Sequence, residues 1–175
     1  MNKNTFYYLT IAFLFICFKY LYSIADNSHL AFLLNPISIA IEQITGSSPI
    51  FIPEKGFFYP SLNILIDKSC SGFNFWMLCF TLFSFHFIQS RKNNPNFLFL
   101  PFLLFITYLM TWLTNTSRIL ISIKMQSLFH STLADNQFLT HEAIGSFIFL
   151  FFFIIFYLLL HFTFLKDSHE NLTQS

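Results

Sequence analysis

The chain has 175 residues, of which 55% are hydrophobic, 21% aromatic and only 10% charged. Soluble domains average about 25% charged residues, so a chain this poor in charge cannot clothe a water-facing surface and stay dispersed. Twenty-eight Phe against four Gly and six Pro exclude collagen-like, linker-like and disordered chains. A net charge of +1 leaves no electrostatic footprint for nucleic acid, and three Cys without a CxxC exclude a disulfide framework or a zinc ribbon. What remains is an all-α integral membrane protein. It reads as a single membrane domain, 1–175, built as a polytopic helical bundle of four to five spans with a short extracytoplasmic hairpin and interfacial helices.

Thr5 to Ile24 is apolar except for Lys19, and about 20 such residues cross a bilayer core. The stretch is longer than the apolar part of a signal peptide and no A-x-A follows, so it reads as a retained first span, 5–24. Leu30 to Ile44 contains Pro36 and Glu42; its length suits an interfacial or re-entrant helix better than a fifth span. Ser48 to Asp67 reads as a small extended element, a hairpin at the membrane surface. It carries the turn composition Pro53-Glu54-Lys55-Gly56, and Leu62, Ile64 and Ile66 alternate along it. The second span is 70–89 and the third 97–114. Beyond it, Ile119, Leu120, Ile123, Leu128 and Phe129 form an amphipathic pattern. One straight helix from Phe97 to Phe129 would measure about 50 Å by its rise, against a core of about 30 Å, so it either projects outward or breaks near Asn115, and a break or bend is the favoured expectation. The fourth span, 142–165, contains the run Phe147 to Phe156. The tail from Lys166 is polar.

Basic residues orient the bundle. Lys3, Arg91, Lys92 and Lys166 fall in short stretches on one side. Lys55, Lys68, Arg118 and Lys124 fall in the longer stretches 25–69 and 115–141 on the other, diluted by Asp26, Glu42, Glu54, Asp67 and Asp135. The first side, with the N-terminus, is therefore expected to be cytoplasmic, and 25–69 and 115–141 extracytoplasmic.

With that topology three reactive residues meet at the outer mouth. Cys70 lies where span two enters, Arg118 where span three leaves, and His141 where span four enters. A thiol becomes a strong nucleophile as thiolate, which a neighbouring His, a guanidinium or a helix start favours. Arg carries a permanent charge and fixed donors that suit an oxyanion, and His141 suits proton transfer. Each alone has an ordinary reading. Cys70 would be a small buried residue, Arg118 a snorkelling side chain, and His141 a partner of Glu142 or of lipid headgroups. Asn115, one turn before Arg118, would hold its guanidinium or cap a helix break. Asp67 and Glu142 would pair with Arg118 or His141, or face solvent. Gly72 and Gly145 would allow helices to approach closely.

The ordered motifs Cys70-Ser71-Gly72, Asn115-x-x-Arg118-Ile119 and His141-x-x-x-Gly145 resemble those of the exosortase/archaeosortase membrane transpeptidases, over about residues 45–150. The stretch Ile66 to Trp76 is most similar to the short exosortase K type. The resemblance implies a cysteine protease or transpeptidase in the inner membrane of a bacterium, its active site on the extracytoplasmic face. It would cleave the C-terminal sorting tail of exported proteins, a short motif such as Pro-Glu-Pro followed by a span and a basic cluster, and pass the product to an acceptor. Cys70 would match the nucleophile, Arg118 the essential arginine and His141 the third member, with Asn115, Ser71, Gly72 and Glu142 in support. No cofactor or metal is implied. Exported protein substrates, membrane lipids and an acceptor molecule are the implied partners, with no nucleic acid.

Two other readings come from the residues. His86 and His161 lie at similar depth in spans two and four and would suit a bis-His haem protein. Lys19 within span one would suit a small channel or complex subunit. Cys17 and Cys79 lie inside spans and read as inert packing residues.

Overall fold

The computed structural model describes residues 3–90, 98–128, 145–159 and 162. Three of its helices are long and apolar enough to cross a membrane: Thr5–Ile24, Lys68–Gln89 and Phe99–Met125. The molecule is a helical membrane protein with one small sheet.

Helix α1 (Lys3–Ile24) is apolar on nearly every side, broken within the span by the charge of Lys19. Phe6, Leu9, Phe13, Ile16, Tyr20 and Ile24 stay exposed, and Ile11 is the residue it buries fully, in a cluster with Phe80, Ile88 and Leu100. Helix α2 (Ala31–Thr45) is different. Leu33, Leu34, Ile37, Ser38 and Ile41 form one buried stripe, and the helix ends at Gly46, whose left-handed φ of +69° lets its N–H reach the Glu42 carbonyl at 2.8 Å. At about 22 Å by its rise it is shorter than a bilayer core of about 30 Å. Pro36 inside it has no N–H for the carbonyl four residues back. That carbonyl, of Phe32, instead accepts the Tyr108 hydroxyl at 2.7 Å, so a defect in one helix becomes a tie to another.

The extended segment is larger than the expected hairpin. Strands β1 (Ile50–Ile52), β2 (Gly56–Tyr59) and β3 (Ile64–Ile66) form an antiparallel meander in the order β1-β2-β3, with Ile50 opposite Phe58 and Tyr59 opposite Ile64. The extra strand pairs across the Pro53–Lys55 turn that the sequence signals, and β3 returns through Asn63, which adopts a left-handed φ of +50° that Asn tolerates. Tyr59 docks the sheet on α2. It is fully buried, and its hydroxyl bonds both the Ser38 hydroxyl at 2.7 Å and the Ser38 carbonyl at 2.9 Å.

From β3 the chain passes a short 3-10 turn (Lys68–Cys70) into α3 (Phe73–Ser90). Helix α3 packs against α1 on one side and α4 on the other, and α4 (Phe99–Leu128) also covers α2. The main core joins α2, the sheet and the start of α3: Leu34, Ile37, Ile41, Tyr59, Ile66, Cys70, Trp76 and Ile119 lie within it. Helix α5 (Gly145–Leu159) closes the other face of α3 through aromatic pairs, Phe75 with Phe149 at 4.9 Å and Phe83 with Phe153 at 6.4 Å. The limits of the expected fourth span beyond α5 lie outside the described residues.

Helix α4 contradicts the expected break near Asn115. It runs unbroken for 30 residues. Three of its polar residues bond back within the helix: Thr107, Thr111 and Thr114 each return their hydroxyls to the carbonyl four residues back, at 2.8–2.9 Å. The other outcome holds: the helix continues through Asn115 and is longer than a hydrocarbon core is thick.

Tyr108→Phe should lower the thermal midpoint in detergent, equivalent to about 1–2 kcal/mol, by orphaning the Phe32 carbonyl. In a Pro36→Ala background, where residue 36 regains an N–H for that carbonyl, the same change should cost measurably less. Equal costs in both backgrounds would refute the tie.

Candidate active site

Cys70 owes its place to Asp67. The Asp67 carboxylate accepts from the Ser69 N–H at 2.9 Å, the Ser69 hydroxyl at 2.6 Å and the Cys70 N–H at 3.3 Å. An Asp followed by a Ser two residues on is a turn signal, and here it winds Lys68–Cys70 into a single capped turn. Asp67 is thereby engaged within its own turn, a role that neither the ion pair nor the solvent-facing reading anticipated. Cys70 also does not sit at the start of α3. It ends the 3-10 turn, and Gly72 at φ +72° redirects the chain before α3 begins. The Cys70 side chain is 9% exposed, with its sulfur 3.8 Å from the Ser69 hydroxyl. Ser71 is buried, and its hydroxyl accepts the Phe73 N–H at 3.4 Å, a cap on the first turn of α3.

Gly72 lies directly on α4. A Cβ there would stand 3.0 Å from Thr111 Cγ2 and 3.2 Å from Asn115 Cγ. This close approach lets the fully buried Asn115 span two segments. Its amide donates to the Cys70 carbonyl, and its own carbonyl oxygen accepts from Arg118 Nη1 at 3.5 Å. Asn115 therefore does not cap a helix break. It is a bridge between the backbone of Cys70 and the guanidinium of Arg118.

Helix α5 supplies the other wall around Arg118. A Cβ on Gly145 would meet Arg118 Nε at 2.8 Å, and the guanidinium carbon stands 5.0 Å from the centroid of the Phe149 ring, within reach of a cation–π attraction. Arg118 Nε is buried and has no hydrogen-bond partner among the described residues. A buried charged donor left unmatched is costly, and its chemistry suits an anion or a developing oxyanion. The structure thus brings together Cys70, Ser71, Gly72, Asn115, Arg118 and Gly145. His141 and Glu142 lie outside the described residues.

Beside the site, an apolar cavity of about 320 Å³ opens between the last turns of α1, the start of α2 and the start of α3. Phe18, Tyr22, Phe32, Phe73 and Trp76 line it. Tyr22 and Phe73 stack face to face at 4.2 Å.

The features behind the other readings are placed as follows. Lys19 donates to Asn74 Oδ1 at 2.8 Å, so the charge in α1 has a partner on α3. The His86 ring stands 6.0 Å from that of Tyr157, and His161 lies outside the described residues. Cys17 and Cys79 are free thiols, Cys79 buried among Phe75, Phe83, Leu103 and Phe156. Sequence reasoning missed the role of Lys68 in the Cys70 turn, and of Tyr22 and Asn27, which hold Lys68 from more than forty residues away and leave no local pattern.

The family model described as transmembrane exosortase (Exosortase_EpsH) matches residues 3–158. The match identifies the family as a whole and does not single out the K type. No curated protein and no solved structure shows significant similarity to the chain.

Gly72→Ala should destabilise the protein by about 1–3 kcal/mol, since it adds both a strained left-handed φ and a crowded Cβ. Thermal unfolding in detergent reads it, and Gly46→Ala serves as the comparison: φ there is +69° but nothing stands within 4 Å of the added Cβ. Gly72→Ala should be the costlier of the two.

Proposed function

The chain belongs to the transmembrane exosortase family, and from that membership we propose that it is a membrane-embedded cysteine protease or transpeptidase acting through Cys70. The observation that carries this reading is the Asn115 amide, which joins the Cys70 backbone to the Arg118 guanidinium and so keeps a nucleophile and a permanent cation in one registered unit.

In the proposed reaction the Cys70 thiolate attacks the scissile carbonyl of the substrate. A C–S bond forms and the carbonyl oxygen takes the negative charge. Arg118, whose Nε has no partner among the described residues, stabilises that oxyanion. Collapse breaks the C–N bond, and the leaving amine takes its proton from His141, which precedes Gly145 by four residues on the approach to α5. The thioester is then attacked by an acceptor amine, or by water, and the thiolate is restored. Asn115 takes no proton; it fixes the spacing of the other two. Ser71 and Gly72 shape the turn that presents the sulfur.

The proposed substrates are exported proteins ending in a short motif, a membrane span and a basic cluster, and the proposed setting is the bacterial inner membrane with the site on the extracytoplasmic face. A span-containing substrate suits an enzyme whose own nucleophile lies in the turn just ahead of an apolar helix. The channel reading loses its main support in the Lys19–Asn74 bond.

Cys70→Ala should reduce tail cleavage in cells by about a thousandfold or more, as loss of a covalent nucleophile does; mass spectrometry of the substrate's C-terminus reads it. Arg118→Lys keeps the charge but loses the fork and should cost about a hundredfold in kcat. Processing at the normal rate in Cys70→Ala would eliminate the mechanism.

A further inference from the structure

Lys68, two residues ahead of Cys70, is held at every polar atom by one short stretch of chain. Its N–H donates to Asn27 Oδ1 at 2.7 Å, and its carbonyl accepts the Tyr22 hydroxyl at 2.9 Å. Its ammonium donates to the Ser23 and Ala25 carbonyls at 3.1 and 2.7 Å and lies 4.9 Å from the centroid of the Tyr22 ring. Ser23 and Ala25 belong to the end of α1 and the link after it, where carbonyls lack partners within the helix and a cation complements the dipole.

The same stretch also reaches the far side of Cys70. Tyr22 stacks on Phe73 with the ring planes 3° from parallel. Asn27 is 8% exposed, and its amide donates to the Glu54 carbonyl in the β1–β2 turn at 2.9 Å. Residues 22–27 therefore hold the chain before the nucleophile at Lys68 and after it at Phe73. A three-residue 3-10 turn has almost no hydrogen-bond ladder of its own, so the position of Cys70 depends on this hold and on Asn115.

We propose that Tyr22, Asn27 and Lys68 are positioning residues for the Cys70 thiol, with the end of α1 as the fixed support that sets where the sulfur stands relative to Arg118. Helix α1 is then part of the catalytic apparatus as well as a membrane anchor. This rests on the reading of Cys70 as nucleophile. The physical demand is that attack tolerates little displacement: about 1 Å of misplacement costs on the order of a hundredfold.

The test uses the full-length protein in membranes. Tyr22→Phe keeps the stack on Phe73 and removes the hydroxyl. Lys68→Met keeps the apolar stem and removes the ammonium. Lys68→Arg is the conservative rescue. Two quantities are read: kcat and KM for tail cleavage, and the pH profile of Cys70 alkylation by iodoacetamide, followed by mass spectrometry of the Cys70 peptide. Tyr22→Phe and Lys68→Met should each lower kcat about tenfold with KM within about twofold, the scale of lost placement rather than lost binding. Each should also change the rate of Cys70 alkylation relative to the parent protein, because the sulfur is no longer held in one place. Lys68→Arg should recover most of both.

Normal kcat and a normal alkylation profile in folded Tyr22→Phe and Lys68→Met would overturn the proposal, as would a lowered thermal midpoint with both readouts unchanged. If Lys68→Met fails to fold, Tyr22→Phe and Asn27→Asp, which retains the acceptor for the Lys68 N–H, decide it by the same readouts. If Cys70 proves not to process any tail, the alkylation profile still tests the positioning, so the two failures are told apart.

Discussion

The structure turns on one side chain, the amide of Asn115. Burying a primary amide at a helix–helix contact is costly unless both its ends are bonded. Here the donor end is matched by the Cys70 carbonyl and the acceptor end by Arg118. Several other features follow from that requirement. Residue 72 must be glycine-sized, because α3 can bring the Cys70 carbonyl to Asn115 only if nothing intervenes between Gly72 and Thr111. Helix α4 must stay regular through Asn115, because Arg118 reaches back to it from one turn later. The serine and threonine hydroxyls that bond back within α4 keep that stretch polar without letting it unwind.

The walls around this unit are made by different means. On the α4–α5 side the contact is aromatic and cationic: Phe149 faces the guanidinium and Gly145 leaves room for it. On the α1 side it is a web of hydrogen bonds converging on Lys68. The sheet, small as it is, joins this α1 side to α2. Tyr59 pins it to α2, and its β1–β2 turn receives Asn27. The Phe enrichment that marks the composition is spent partly here, in the stacks that join α3 to α5 and α1 to α3.

Hydropathy made the long helices legible, because a run without polar interruption has one environment open to it. Residues 5–24 and 70–89 correspond closely to α1 and to the apolar stretch that ends in α3. The grouping of Cys70 with Arg118 was legible as well, from their places at span ends. What was not legible was geometry set by contacts distant in the chain. The role of Asp67 as a turn cap competes with its role as an ion-pair partner, and only the fold decides between them. The tie of Tyr108 to Phe32 depends on which helix lies next to Pro36. The hold of residues 22–27 on Lys68 spans more than forty positions of chain and leaves no periodicity. The extra strand was hidden because Ile50–Ile52 is apolar at all three positions and so carries no alternation.

The unbroken course of α4 also acts as a ruler for depth. From Phe99 to Arg118 the helix rises about 28 Å, close to the full thickness of a hydrocarbon core of about 30 Å. A helix entering the membrane near Phe99 therefore delivers Arg118 to the opposite boundary, and the final turns to Leu128 stand beyond it. A side chain at that boundary has water on one side of it and lipid on the other. The excess length of α4 thus carries its own last turns past the level at which Arg118 stands.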